Sequence, residues 1–533
     1  MKRLLVFILI TSMLCGALVS CMSANVEEES ETQQASEAAT EATENGEGNA
    51  SEDDPTEDAS TEDGEAQETE DEETEEDPVE DEDETEDEDQ VDTEDEVESD
   101  VQVETADQDE KDTDKASETE SKKETEKKTE KETEKETEKE PEKPTFDVKE
   151  STSGLKFELN PDGLSYTLID RGTTASKSEI LIDGHKGLPV TKIGYGVFDN
   201  SVRKDTKLTK VTIGDYVEVI DCYAFSHCSK LTTVVMGDNV KVINLGAFRY
   251  CSALTSINLG KSLEWIGDSA FYKSTKLASI TMPSTVRYVA EYAFDNTEYY
   301  NNSSNWVKNA LYIGKCLIKL KSDSSGTVNV KDGTTAIADT ALANCKSITK
   351  VVVPNSVQAI GMKAFKNCTS LATLDLGSGI KYIGEEAFTN TSYYNTSSNW
   401  KSSILYAGSY LLEAKTSLSG AVSVATGTKA IAASAFASCE KISSVTLPAS
   451  LISIGEYAFL NCKALTSVTA GKNLNTIYAG AFKGCIKLTS ITLSDFSDWS
   501  VDGVLIDEDD LQTKADAATL LTMLYAENVW THK

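Results

Sequence analysis

The chain has 533 residues, with 92 Asp and Glu against 49 Lys and Arg, only 3 His, and a formal net charge of −43. That balance repels phosphate and excludes nucleic-acid binding through bulk charge. The charge is unevenly placed: from Glu27 to Lys143, 56 acidic residues stand against 10 basic ones, and the 390 residues that follow are nearly neutral.

Lys2 and Arg3 precede the apolar run LLVFILITSMLCGALVS, which has the length of a secretory signal and is too short to cross a bilayer. The run closes on Leu18-Val19-Ser20-Cys21, which resembles a bacterial lipobox. The resemblance implies a signal peptide over residues 1–20, a lipidated Cys21 as mature N-terminus, and a membrane attachment made through that lipid anchor alone. An ordinary cleaved signal with a chance cysteine is the alternative. The end NVWTHK carries no apolar tail, so no second anchor is expected.

From Met22 to Lys143 there is no Leu, Ile, Phe, Trp or Tyr. Such a segment has almost nothing to bury against the entropy cost of ordering and is predicted to be disordered. Residues 21–145 therefore read as an acidic linker. A neutral coil of this length spans roughly 60 Å, and full extension sets a ceiling of about 400 Å. Calcium capture by its carboxylates lacks the spaced ligands and Gly of a closed site.

Internal repetition organises the remainder. Phe225, Phe248, Phe271 and Phe294 stand 23 apart; Leu342, Phe365 and Phe388 repeat that step, as do Phe436, Phe459 and Phe482. The two longer gaps, 294 to 342 and 388 to 436, both measure 48, so a second-order repeat of 94 residues is superposed. A fixed period of this kind specifies a stacked solenoid. In ITKVVVPNSVQAIGMKAFKNC the expected inward positions are Ile348, Val351, Val353, Val357, Ile360, Ala364, Phe365 and Cys368. The alternation around Val351 and Val353 predicts a short strand that Pro354 ends, with Gly361 permitting a turn. Stacked strands form a parallel sheet; turns and short helical pieces are expected opposite.

These units, ten of them between Gly187 and Leu493, resemble the BspA-like (Treponema-type) leucine-rich repeats. The resemblance implies an α/β repeat solenoid: a curved, right-handed leucine-rich-repeat array with a parallel β-sheet on its concave face, on a bacterial surface protein whose relatives act as adhesins. It implies no particular ligand. The pattern is broken at Leu342, which replaces Phe, and at Ser274, Thr297 and Thr391, which replace Cys. Residues 146–197, with SYTLIDRGTT able to form a hairpin, read as a capping lead-in, 198–493 as the array, and 494–533 as a strand and amphipathic helix closing its other end.

Three groups of side chains are candidate sites. Cys228, Cys251, Cys345, Cys368, Cys439, Cys462 and Cys485 each follow the Phe or Leu by three residues. That phase makes an inward column, expected to stay as thiols although neighbouring rungs are within disulfide reach. Their spacing resembles no zinc pattern, and no metal or other cofactor is expected. The two 48-residue units share Tyr299, Tyr300, Trp306 and Tyr312 with Tyr393, Tyr394, Trp400 and Tyr406 at +94. They present rings to a sugar or protein partner, or form a small hairpin packed on the convex face. Thr212, Asn258, Thr281, Asp375, Thr446, Thr469 and Thr492 occupy exposed strand positions. There they would line the concave face and bond to glycan or extended polypeptide, or serve only as good strand formers.

No HExxH, GxSxG or phosphate-loop motif occurs, and His185, His227 and His532 lie far apart, so no enzyme is expected and His185 and His227 read as surface residues. The expectation is a non-catalytic, adhesin-like protein, extracytoplasmic, lipid-anchored to the bacterial cell membrane and displayed at the cell surface. It would bind an extracellular protein or glycan and no nucleic acid. An envelope scaffold and a polysaccharide-capture lipoprotein are the competing expectations.

Overall fold

The computed structural model describes residues 144–202, 207–507 and 509–533. The leader, Cys21 and the acidic stretch from Met22 to Lys143 lie outside the described residues.

One coil shows how the sequence sets the architecture. Ile348, Val351, Val353, Val357, Ile360, Ala364, Phe365 and Cys368 are all buried. The strand Ser347–Val353 ends at Pro354, and a two-residue strand, Ala359–Ile360, follows before the Ala-Phe turn. Each coil thus contributes to two parallel ladders. The longer strands pair in register, as Lys350 to Thr373 and Val351 to Leu374. The short ones do the same, with Val219–Ile220, Val242–Ile243, Trp265–Ile266 and Tyr288–Val289 side by side.

The side opposite the longer strands holds this second ladder and turns, in place of the expected helical pieces. Only four residues separate Ile360 from Phe365, and Lys363 among them has a left-handed backbone (φ 55°), which stops a right-handed helix from starting. The second bend of the turn falls on Asn367 (φ 62°), a residue that visits this region at little cost. Gly361 has another role than the expected one. A Cβ there would lie 2.5 Å from the Asp339 amide nitrogen of the preceding coil, so the glycine admits a neighbouring backbone.

Phenylalanines fill the interior as columns. Phe198, Phe225, Phe248, Phe271 and Phe294 stack with centroids 5.1–5.4 Å apart and planes within 7°. Phe365 stacks on Phe388 at 5.0 Å, and Phe436, Phe459 and Phe482 follow at 4.9 and 5.2 Å. Leu342 opens the middle column, directly after the first enlarged unit. The cysteine column runs beside the rings. Cys251 Sγ donates to the Phe225 carbonyl at 3.3 Å, Cys368 to Leu342 at 3.0 Å and Cys485 to Phe459 at 3.1 Å. All seven are buried free thiols, and desolvation pushes Cys228 and Cys368 up to about 12 and Cys345 and Cys439 up to about 11. Ser274 keeps the same bond, from its hydroxyl to the Phe248 carbonyl at 2.8 Å.

Thr297 and Thr391 do something else. Each hydroxyl donates back to the Phe of its own coil, at 2.8 and 2.9 Å. Each also accepts from the amide three residues on, capping the short helices Glu298–Asn301 and Ser392–Asn395. The chain leaves the coil path there and makes an antiparallel meander: Trp306–Val307, Ala310–Ile313 and Cys316–Leu320 in one unit, and Trp400–Lys401, Ile404–Ala407 and Tyr410–Ala414 in the other. The third strand of each rejoins the short ladder, in parallel with Ala336–Ile337 and Ala430–Ile431. The long ladder restarts at Ser325–Asn329 and Ser419–Ser423.

The lead-in hairpin pairs Lys156–Leu159 with Tyr166–Asp170. SYTLIDRGTT therefore supplies one arm of it, and Tyr166–Asp170 then joins Leu188–Ile193 in parallel. At the other end, Trp499–Val501 and Val504–Leu505 form a hairpin and a helix begins at Lys514–Thr519 under a Thr513–Asp516 capping box. Trp530–His532 closes the short ladder by pairing antiparallel with Thr476–Ile477.

Candidate functional site

Of the seven strand positions expected to be exposed, Asn258, Thr281, Asp375, Thr446 and Thr469 are exposed whereas Thr212 and Thr492 are half-buried, and the seven belong to four separate ladders. Thr212 lies opposite Val235 in the first, and Asn258 opposite Thr281 in the second. Asp375 lies opposite Val352 in the third, where its carboxylate pairs with Lys350 at 3.5 Å. Thr446, Thr469 and Thr492 are consecutive rungs of the fourth, headed by Ser423 and flanked by Ser444, Ser467 and Ser490. The structure thus brings three of the seven predicted residues into one in-register row and two more into another. β-Branched side chains on parallel strands hold few rotamers, so the threonines of the fourth ladder present ordered hydroxyls; the exposed Lys441 lies at the start of the same ladder, opposite Ser419.

The eight aromatic residues of the enlarged units are half-buried and packed on the core. Trp306 Nε1 donates to the Tyr300 carbonyl at 2.7 Å and Trp400 Nε1 to Tyr394 at 2.8 Å. Tyr299 donates to the Tyr312 carbonyl and Tyr393 to Tyr406, at 3.1 and 2.6 Å. The Tyr312 and Tyr406 hydroxyls accept from the amides of Lys331 and Ala425. Both units close themselves by the same bonds. Lysines lie over the rings: Lys321 is 5.3 Å and Lys415 4.9 Å from the centroids of Trp306 and Trp400. Burial raises the phenols of Tyr299, Tyr312, Tyr393 and Tyr406, so they are neutral hydrogen-bonding groups.

A buried network lies where the stretches of the short ladder meet, and sequence reasoning missed it. Tyr288 donates to Asp339 Oδ2 at 2.6 Å, while Asp339 Oδ1 accepts from the Met362 amide at 2.6 Å. At the next junction Tyr382 donates to Glu456 Oε2 at 3.2 Å. The Tyr382 ring lies 6.1 Å from that of Tyr288 and 5.1 Å from that of Tyr478. Desolvation, with Glu291 and Asp268 nearby, pushes the Asp339 carboxyl up to about 8; burial raises Glu456 as well. The 94-residue step between Tyr288 and Tyr382 was the available signal, but their acidic partners occupy non-equivalent coils.

His185 and His227, read as surface residues, are half-buried in aromatic contacts, as is His532. His185 stacks on Phe157 at 4.5 Å and meets Glu150 at 2.9 Å; His227 stacks on Tyr250 at 4.4 Å; His532 lies 5.2 Å from Trp499. Among the described residues, no group of three or more His, Cys, Asp or Glu could hold a metal ion, and no helix is long and apolar enough to cross a membrane.

Two parallel ladders repeating every 23 residues around columns of Phe and Cys define a parallel-strand solenoid built of repeats. The sequence matches the BspA type leucine rich repeat region, six copies over residues 189–317, 335–426 and 429–500, which is more than half of the chain. The protein belongs to that family. No curated protein matches it. Among solved structures it is similar to a leucine rich cell surface protein from Faecalibacterium prausnitzii, with 22% identity over 66% of this chain and 96% of that one and a TM-score of 0.24. It is also similar to the Treponema pallidum leucine rich repeat protein, with 16% identity over 64% and 91% and a TM-score of 0.21. The pneumococcal vaccine antigen PcpA gives 17% over 65% and 82%, with a TM-score of 0.25.

Proposed function

We propose that this protein is a non-catalytic, adhesin-like binding protein of a bacterial surface, exported by residues 1–20, held to the membrane by a lipid on Cys21, and carrying its array beyond an acidic linker. It binds an extracellular protein or glycan through many individually weak contacts. The observation that carries this reading is the in-register row of partly and fully exposed hydroxyls on the last ladder of longer strands. The row Ser423, Thr446, Thr469 and Thr492, with Ser444, Ser467 and Ser490 beside it, offers ordered donors and acceptors, so little side-chain entropy is lost on contact. The F. prausnitzii protein, described as a cell surface protein, supports the location.

The test is a binding screen of the full chain against matrix proteins, mucins and polysaccharides. Saturable binding that weakens when Thr446, Thr469 and Thr492 are replaced by Ala is the expected result. Absence of saturable binding throughout the screen counts against the proposal, and cross-linking in intact cells that captures only envelope proteins would replace it with a scaffold. Labelled palmitate incorporated into the wild type and lost in Cys21→Ala checks the anchor.

A further inference from the structure

The two enlarged units supply an internal control. They share one backbone path, the same four aromatic positions and the same closing hydrogen bonds, so those features are what the shape requires. Their charges differ. Lys308, Lys315 and Lys331 of the first unit correspond at +94 to Ser402, Ser409 and Ala425 of the second, and Lys319 and Lys346 correspond to Glu413 and Glu440; in the other direction, Val307 and Thr335 correspond to Lys401 and Lys429, and Glu298, Asp323 and Asp332 to Ser392, Ser417 and Thr426. The fold plainly forms without those lysines, and their presence in one copy calls for another explanation.

Lys308, Lys315, Lys321 and Lys331 are all exposed, and among the described residues none makes an ion pair. They fall into two pairs. The Lys321 amide donates to the Asn309 carbonyl beside Lys308 at 2.9 Å, and the Lys321 ammonium lies over Trp306. The Lys331 ammonium lies 5.9 Å from the Tyr312 centroid, and the Thr335 amide, four residues on, donates to the Lys315 carbonyl at 2.8 Å. The strand Ala310–Ile313 separates the pairs, which puts them about 10–13 Å apart. Each end therefore offers a half-buried ring, a lysine above it and a second lysine in the adjoining turn of the meander. Five lysines stand against Glu298, Asp323 and Asp332 between Thr297 and Asp332, leaving this stretch net positive in an array that is nearly neutral.

We infer that the first enlarged unit is a binding site for an anionic polysaccharide, one whose sugars carry carboxylate or sulfate. This rests on the reading of the protein as a surface binder and names the ligand class of one site. A polymer that repeats both a pyranose ring and a negative charge matches a surface that repeats both an aromatic ring and an ammonium group. An acidic peptide offers the charge without a ring face. Lysine ammoniums, as mobile point charges, suit diffuse anionic groups better than one fixed bidentate partner, and they accelerate capture of an oppositely charged chain.

The experiment measures binding of polygalacturonate to the full chain at low and at physiological salt, with dextran and polyglutamate of matched length beside it. Polygalacturonate binding that falls with salt, exceeds both controls, and drops at least about tenfold in the variant Lys308→Gln, Lys315→Gln, Lys321→Gln, Lys331→Gln is expected. All four side chains are exposed, so an unchanged melting temperature verifies folding of that variant. Lys401→Gln in the second unit leaves affinity within about twofold. Installing Ser402→Lys, Ser409→Lys and Ala425→Lys raises the stoichiometry towards two sites. Unchanged affinity in the fourfold variant, equal binding of polyglutamate, or no polygalacturonate binding overturns the inference. If a protein or neutral glycan binds while polygalacturonate does not, this inference fails and the broader reading stands; if nothing binds, both fail.

Discussion

The 23-residue coil and the 48-residue unit solve one problem differently, namely how to leave the Phe turn and return to the ladders. In the coil, a small donor three residues after Phe reaches the carbonyl of the preceding coil, as Cys251 and Ser274 do, and the chain stays in step. In the enlarged unit, Thr297 or Thr391 turns its hydroxyl back to its own Phe and caps a helix, and the chain departs into a meander. Regularity here is held by a hydrogen bond between coils, and the exits are written where that bond changes partner.

The sharpest way to break the comparison is to remove what both share. Phe459 lies between Phe436 and Phe482 with its ring fully buried. Phe459→Ala is expected to cost about 3–5 kcal/mol and to open the last coils first, since each coil contacts mainly its neighbours. Calorimetry together with limited proteolysis checks both size and place. Loss spread evenly along the array would show that the columns do not act locally.

Most of this was legible in the sequence. A fixed period places Phe, Ala and Cys inward whatever the detailed path, and all eight inward positions expected from Ile348 to Cys368 are buried. The short ladder was not legible, because strands as brief as Ala359–Ile360 are too short to display alternation. The meanders were partly legible: their repetition was visible, whereas the closing bonds of Trp306 and Tyr299 depend on how the loop folds over the core. Contacts between Tyr288 and Asp339, 51 residues apart, belong to tertiary packing and leave no local trace.

That contact gives the second prediction, which concerns the junctions created by the enlarged units. Asp339 is buried and its carboxyl is pushed up to about 8 from an ordinary value of 3.8. The folded state holds this proton over a range in which the unfolded chain has released it. The contribution of Asp339 is therefore most favourable below about pH 4, falls as pH rises toward about 8, and is constant above, a loss of at most about 4 kcal/mol by pH 7. Asp339→Asn should flatten the melting temperature across that window relative to wild type. An unchanged pH slope would mean that the carboxylate is ionised in the fold and satisfied by Tyr288 and the Met362 amide.

The third prediction sharpens the account of the coil. A thiol that donates to a buried carbonyl and has a raised pKa is a poor nucleophile, so a thiol reagent should label Cys228, Cys251, Cys368 and Cys462 about a thousandfold more slowly in the native protein than in denaturant. Mass spectrometry after a labelling pulse reads each site. Rapid native labelling at any of these positions would show that its coil opens independently of its neighbours.

The smallest effect is the most direct test of the difference between coil and exit. Thr391 Oγ1 donates to the Phe388 carbonyl at 2.9 Å and accepts from the Tyr394 amide at 3.0 Å. Thr391→Ser keeps both bonds and should change stability by no more than a few tenths of a kcal/mol. Thr391→Cys restores the residue that the ordinary coil carries but provides only a weak acceptor for the helix amide. It should cost about 1 kcal/mol and raise proteolysis between Ser392 and Trp400 without disturbing the Phe columns. If Cys proved as stable as Thr, the hydroxyl would be incidental and the departure from the coil would have to be assigned to the meander strands, which pair antiparallel from Trp400 onward and would then pull the chain out of register by themselves.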